Sequence, residues 1–136
     1  MPPAFRPQPT EGRRIIICDY NQLLQSVTGL LRMSGYVVFQ AYDADAAREL
    51  CSQLENIDML ILNTTGTGTD SATLVRDIRE RHTRLPVLHI GDAALDGMPE
   101  DVPTLDESFT AARLLGTVEG LLPTRPRAVV GSISGQ

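Results

Sequence analysis

The chain has 136 residues, of which 42% are hydrophobic and 21% charged, and its formal net charge is −5. That length and composition predict one globular domain with a continuous core. The acidic balance argues against a nucleic-acid-binding surface, which needs clustered Lys and Arg to neutralise phosphates. Cys18 and Cys51 are far apart and form no CxxC pair, so the sequence predicts neither a disulfide framework nor a zinc site.

The two ends of the chain differ from its middle. Residues 1–12 include four prolines, and residues 123–136 contain Pro, Gly and Ser with little periodic apolar content. Both ends are predicted to be disordered tails, which leaves residues 13–122 as the domain. No apolar run approaches the roughly 20 residues that span a bilayer, and no signal-peptide pattern opens the chain. The sequence therefore predicts a cytoplasmic protein.

Short apolar runs alternate with helical periodicity, which is typical of a parallel sheet covered by helices. Residues 15–18 form a continuous apolar run and predict a central strand that is buried on both faces. Apolar residues then recur at three- and four-residue spacing over residues 23–31, which predicts a helix. Gly35 supplies its C-terminal stop.

The next elements repeat this alternation. The sequence predicts a strand over residues 36–41, a helix over residues 44–54 with Asp43 as its N-cap, and a second buried strand over residues 59–62. Residues 64–69 are rich in Thr and Gly and predict a loop.

The last third of the chain is less regular. Asp70 or Ser71 is predicted to cap a third helix that carries Leu74, Val75 and Ile78, and residues 87–90 to form the fourth strand. Residues 91–103 show little helical periodicity, so a full helix is not expected there. A short last strand over residues 102–105 and a closing helix over residues 109–122 follow. The expected core face of that helix consists of Phe109, Ala112, Leu115, Val118 and Leu121 or Leu122.

Taken together, residues 13–122 resemble a response-regulator receiver domain. The matching segments are Ile15-Ile16-Ile17-Cys18-Asp19, Ser34-Gly35-Tyr36-Val37-Val38, Ile57-Asp58-Met59-Leu60-Ile61-Leu62-Asn63 and Leu85-Pro86-Val87-Leu88. The resemblance implies an α/β, flavodoxin-like (CheY-like) doubly wound fold. Its five-stranded parallel sheet is expected to have the fourth helix shortened or missing.

The resemblance also implies where the functional residues of the family fall, at the carboxyl ends of the strands. Asn63 stands at the place of the phosphate-accepting aspartate, and Cys18 with Asp19 at the place of an acidic metal-binding pair. Gly91 replaces a hydroxyl residue, and Glu107 replaces a lysine that pairs with the phosphoryl group.

Two further positions are compared with the family in the same way. Thr104 stands at the place of an aromatic switch residue, and Thr65 where a backbone carbonyl serves as a metal ligand.

A receiver altered at all these positions is expected to be a pseudo-receiver. A carboxamide is a poor nucleophile, and Asp19 with neutral oxygens is at most a weak ligand for Mg²⁺. The expected function is therefore a non-catalytic signalling module without metal or cofactor. It would act by phosphorylation-independent contact with a kinase, an output domain or another regulator, or as a homodimer, with no role for nucleic acid or membrane.

A different function remains open for the loop after the third predicted strand. Gly-permitted bends, several hydroxyls and a following helix N-terminus are features of anion-binding loops. A small flavodoxin-like domain that binds a phosphate-containing ligand is the alternative, since the loop incompletely resembles the phosphate loop of flavodoxins. Its residues are Thr64, Thr65, Gly66, Thr67, Gly68, Thr69 and Asp70.

The singled-out residues also have ordinary structural interpretations. Asp19 could accept hydrogen bonds from loop amides, and Cys18 could be a small buried hydrophobe. His89 inside an apolar strand is expected to be a hydrogen-bonded core residue. Glu107 is expected either to be a solvated acid, to pair with Arg13 or Arg14, or to act locally beside Asp19.

Overall fold

The computed structural model describes residues 12–19, 24–63, 71–91 and 97–123. The strands are β1 (Arg14–Asp19), β2 (Val37–Ala41), β3 (Met59–Asn63), β4 (Val87–Ile90) and β5 (Thr104–Leu105). The helices are α1 (Gln25–Met33), α2 (Ala44–Gln53), α3 (Ser71–Arg81) and α4 (Ala111–Leu121). No helix within these described ranges is long and apolar enough to cross a membrane.

The strands form one parallel five-stranded sheet in the order β2-β1-β3-β4-β5. Successive side chains of a strand point to opposite faces, and each face of this sheet has its own core. On one face the strands pack against α1 and α4, and on the other against α2 and α3. This arrangement confirms the predicted flavodoxin-like, doubly wound fold.

Local sequence signals work as expected at two turns. Gly35 has φ 100° and ends α1, with its amide bonded to the carbonyl of Arg32 and the amide of Tyr36 bonded to that of Leu31. Those two bonds form a Schellman motif, which satisfies the last carbonyls of the helix. Asp43 caps α2, because its Oδ1 accepts from the amide of Ala46 at 2.7 Å.

The two ends of the domain meet at the amino edge of the sheet. Arg13, only 4% exposed, donates from its guanidinium to the carbonyl of Pro123 after α4. Residues 1–11 and 124–136, which make up most of the predicted tails, lie outside the described residues, so their disorder stays a prediction.

The connection between β4 and β5 contains no helix in its described residues, 91 and 97–103. It is fastened to α3 by Arg79, whose guanidinium makes two bonds to the Asp101 carboxylate, at 2.7 and 3.0 Å, and also bonds the carbonyl of Leu85. The same hydrogen bond lowers the pKa of Asp101. An ion pair between Arg79 and Asp101 thus holds this segment against α3. The last strand, β5, begins at Thr104 rather than at the predicted residue 102.

The buried face of α4 differs from the predicted one. The helix begins after Thr110, whose hydroxyl accepts from the amide of Arg113 and caps it. Leu114 is fully buried and packs in the core with Val118, whereas the predicted core residue Ala112 is exposed. The prediction therefore missed Leu114 and wrongly included Ala112. Its other members are borne out, since Val118 is buried and the remaining predicted residues pack, partly buried, against the same core: Phe109, Leu115, Leu121 and Leu122.

Replacing Leu114 tests this assignment. We expect Leu114→Ala to lower the free energy of unfolding by about 2–5 kcal/mol, because it opens a cavity at a fully buried site. Leu115→Ala is the matched control, since Leu115 is only partly buried and should cost clearly less. Urea denaturation measures both variants, and an equal cost would contradict the observed helix phase.

Candidate functional site

The carboxyl ends of parallel strands meet at one edge of the sheet, and there β1 ends beside β3. Asp19 and Asn63 are register partners, and their exposed fractions are 2% and 1%. Asp19 lies two residues after Ile17, and Asn63 lies two residues after Ile61. Both isoleucines pack toward α1 and α4, and side chains two residues apart in a strand point to the same face. The predicted acceptor position and one predicted acid therefore lie side by side on the same face.

The Asp19 carboxylate has a structural partner. Its Oδ2 accepts from the backbone amide of Leu24 at 2.7 Å, at the N-cap position of α1. An amide at a helix start has no partner within the helix, so this buried bond satisfies it. The expectation that Asp19 accepts from loop amides is confirmed.

Cys18 belongs to the opposite face of the sheet. Its side chain is fully buried in the core beneath α2 and α3, and its thiol donates to the carbonyl of Asp43 at 3.7 Å. The expected buried hydrophobe is confirmed. The structure does not bring Cys18 to the side of Asp19 and Asn63, so grouping it with them in one pocket was wrong.

The remaining two predicted positions lie at the ends of β4 and β5. Gly91 is buried, and its amide donates to the carbonyl of Leu105 at 3.0 Å. Glu107 is exposed in the loop before α4. Arg13 and Arg14 stand at the start of β1, on the opposite edge of the sheet, so the predicted pairing of Glu107 with either arginine is wrong.

Thr104, at the position of the predicted switch residue, joins β5 to β4. Its hydroxyl shares a hydrogen bond with Nδ1 of His89 at 3.1 Å, and His89 is 3% exposed. Burial lowers the pKa of His89. The expected hydrogen-bonded core histidine is confirmed, with Thr104 as its partner.

A cleft of about 260 Å³ opens beside these positions, between the start of α1, the end of β4 and the β5–α4 loop. We call it the Phe109 cleft. Sequence reasoning missed it, because its walls come from three separate segments and no local motif marks them. The lining residues are Leu24, Ser26, Val27, Ile90, Glu107 and Phe109.

The predicted anion-binding loop, Thr64 to Asp70, lies outside the described residues. Its role therefore stays a prediction, and so does the predicted cap of α3 at Asp70. Ser71 is the first helical residue of α3.

The described residues at this edge do not supply the donor set that Mg²⁺ prefers. Mg²⁺ is held by carboxylates, phosphates and water in near-octahedral geometry. Here one carboxylate, Asp19, already accepts an amide, Asn63 offers a carboxamide, and the Cys18 thiol lies on the other face. Among the described residues, no group of three or more His, Cys, Asp or Glu side chains could hold a metal ion.

A property of the whole sequence bears on the lysine position. All 12 basic residues of the chain are arginines, and it contains no lysine at all. Aligning the β5–α4 loop with receivers one or two residues differently therefore cannot place a lysine at this position.

Comparisons with known proteins agree on the fold. No protein-family model and no curated protein matches the sequence. The structure is similar to the receiver domain of the hybrid histidine kinase CckA, with a TM-score of 0.67 and 28% identity over 81% of this chain and 99% of that one.

Two further solved structures give the same result. A response regulator receiver protein from Sinorhizobium medicae WSM419 matches with a TM-score of 0.69 and 24% identity, covering 82% of this chain and 94% of that one. The receiver domain of sensor histidine kinase PA1611 from Pseudomonas aeruginosa PAO1, which holds a magnesium ion in its active-site cleft, matches with a TM-score of 0.67 and 24% identity. That match covers 81% of this chain and 97% of the other. The chain is therefore a receiver-like domain.

The role of Asp19 can be tested by two replacements. We expect Asp19→Ala to cost about 1–3 kcal/mol of unfolding free energy, because it leaves the buried amide of Leu24 without its acceptor. Asp19→Asn keeps an acceptor oxygen and should cost less. Chemical denaturation with and without Mg²⁺ measures both effects. Stabilisation of the unmodified protein by Mg²⁺ would contradict the structural role and indicate a metal site.

His89 predicts a pH dependence of stability. Because burial lowers its pKa in the folded state, the unfolded chain takes up the proton first, near its ordinary pKa of 6.5. Stability is therefore complete above pH 6.5 and falls as the pH drops below it, by at most about 1.4 kcal/mol per pH unit. Chemical denaturation between pH 7.5 and 5.5 should show that the unfolding free energy falls less steeply for His89→Gln than for the unmodified protein. Equal slopes for the two proteins would show that His89 is not the cause of the pH dependence.

Proposed function

We propose that this receiver-like domain is a non-catalytic signal-transduction module that acts by phosphorylation-independent protein–protein interaction. One observation carries the proposal, namely that Asn63 and Asp19 face each other in register at the carboxyl edge of the sheet. The place of Asn63 at the end of β3 supports the proposal that a carboxamide stands where receivers carry their acceptor.

The chemistry at that place argues against phosphoryl transfer. An acyl phosphate forms when a carboxylate oxygen attacks phosphorus, and the carboxamide of Asn63 is a poor nucleophile. The neighbouring carboxylate of Asp19 is buried and bonded to the amide of Leu24, so it is held by the fold.

The electrostatics at this edge support the same conclusion. A transferring phosphoryl group needs cations or hydrogen-bond donors aimed at its developing charge. Gly91 has no side chain, Glu107 is negative, and the sequence contains no lysine. A dianionic phosphoryl group would meet the Asp19 and Glu107 carboxylates instead, and like charges repel.

What the fold retains is a set of surfaces. The last strand and last helix, which form a recognition face in receivers, are present as β5 and α4. The segment before β5 is not helical in its described residues, so that face has a different shape. We propose a kinase, an output domain or another regulator as the partner, or a second copy, in the cytoplasm, with a specificity unlike that of ordinary receivers.

Intact mass after incubation with acetyl phosphate and Mg²⁺ tests the proposal. We expect no gain of a phosphoryl group, because position 63 carries a carboxamide instead of a carboxylate and the sequence contains no lysine. A receiver domain with an aspartate acceptor, treated in parallel, is the positive control for the activity of the phosphodonor. A stoichiometric gain that maps to Asp19 would falsify the claim that the site is inert.

The variant Asn63→Asp separates loss of the acceptor from loss of the whole site. It restores the carboxylate but leaves Gly91 and Glu107 in place. We expect it to stay unmodified under the same conditions. Rapid phosphorylation of this variant would show that only the acceptor had been lost and that the surrounding pocket still works.

A further inference from the structure

The strand β2 forms one edge of the sheet, and some of its backbone groups point away from β1. The amide of Val37 donates to the carbonyl of Arg13 at 2.8 Å, so the backbone of Val37 faces β1. In a parallel pair, the amide and carbonyl of one residue point to one side of the strand, and those of the next residue point to the other side. The amides and carbonyls of Val38 and Gln40 therefore face the outer side of β2, where no strand pairs within the described residues.

An edge with a row of such backbone groups is a template for another strand. Sheets in natural proteins protect their edges with charged side chains, prolines or bulges. The strand β2 contains neither a charged residue nor a proline, and its register with β1 is continuous from Val37 to Ala41. The strand therefore carries none of these protections in its own sequence.

Arg32 covers this edge from the last turn of α1. Its guanidinium donates to the carbonyl of Val38 at 2.8 Å, and Val38 is one of the residues whose backbone faces outward. Arg32 is an exposed residue, so its charge stays in contact with water while it holds the carbonyl. An incoming strand would have to displace the guanidinium or bury it, and burying a charge is costly.

A second copy of the chain is the strand for which the effect of this bond can be worked out. Two β2 strands that meet antiparallel, with a two-fold axis at Phe39, would place Val38 opposite Gln40 of the second copy, and Gln40 opposite Val38. Each of these two pairs would exchange two hydrogen bonds, and the two Phe39 side chains would be cross-strand neighbours. Because Arg32 occupies the Val38 carbonyl in each copy, two of those four bonds are lost.

We propose that Arg32 keeps the outer edge of β2 closed to strand addition and thereby prevents edge-to-edge pairing of this chain with a second copy. The inference goes beyond the proposed function, because β2 and β5 are opposite edges of the sheet. Contacts made through β5 and α4 do not depend on Arg32.

Sedimentation velocity of the full chain over a concentration series tests the proposal with the variant Arg32→Met, which keeps an unbranched apolar stem and removes the guanidinium. We expect its dimer dissociation constant to be about ten- to hundredfold lower than that of the unmodified protein, because each copy regains a free carbonyl. Arg76→Met is the matched control, since Arg76 is an exposed arginine on α3 and the same replacement there should change nothing.

A second replacement identifies the surface that pairs. Gln40→Pro removes an outward amide that the antiparallel pairing needs, and an edge strand tolerates proline where the amide faces solvent. Added to Arg32→Met, it should return the association to that of the unmodified protein. Amide hydrogen exchange gives an independent answer without the proline, because exchange at Val38 and Gln40 should slow in Arg32→Met as the concentration rises.

Three results would overturn the proposal. The first is equal association of Arg32→Met and the unmodified protein. The second is a dimer of Arg32→Met in which exchange at Val38 and Gln40 does not slow, because another surface would then hold it. The third is slower exchange of these amides with rising concentration in the unmodified protein, since the edge would then pair with Arg32 in place.

Discussion

The parallel pairing of β1 with β3 is the constraint on which the rest of this structure depends. β1 lies between β2 and β3 and is buried on both faces, and its register with β3 places Asp19 beside Asn63. Because every strand runs the same way, the ends of β4 and β5 reach the same edge. The geometry of a receiver site is therefore produced by the sheet itself, independently of which residues occupy it.

The residue types at that edge have physical consequences for stability. Two buried carboxylates on adjacent strands would repel each other strongly unless a metal or water screened them. With Asn63 in place of a second acid, Asp19 is the single charge of the pair, and its bond to the amide of Leu24 joins β1 to α1. A carboxamide at position 63 therefore avoids the electrostatic repulsion that a second buried carboxylate would cause beside Asp19.

The parts predicted correctly from sequence depend on short-range rules. Continuous apolar runs mark β1 and β3, and the caps at Asp43 and Gly35 use bonds between residues at most five apart. The parts predicted wrongly depend on distant neighbours. Choosing between Leu114 and Leu115 needs the position of the sheet, since the two adjacent leucines fit the helical periodicity almost equally well.

The same distinction explains the candidate site. Comparison with receivers identified Asn63 and Asp19 by their place at strand ends, and the structure places them together. Cys18 was grouped with them, although the two-residue alternation of a strand already puts neighbours on opposite faces. The Phe109 cleft joins α1, β4 and the β5–α4 loop, and only the folded chain brings these segments into contact.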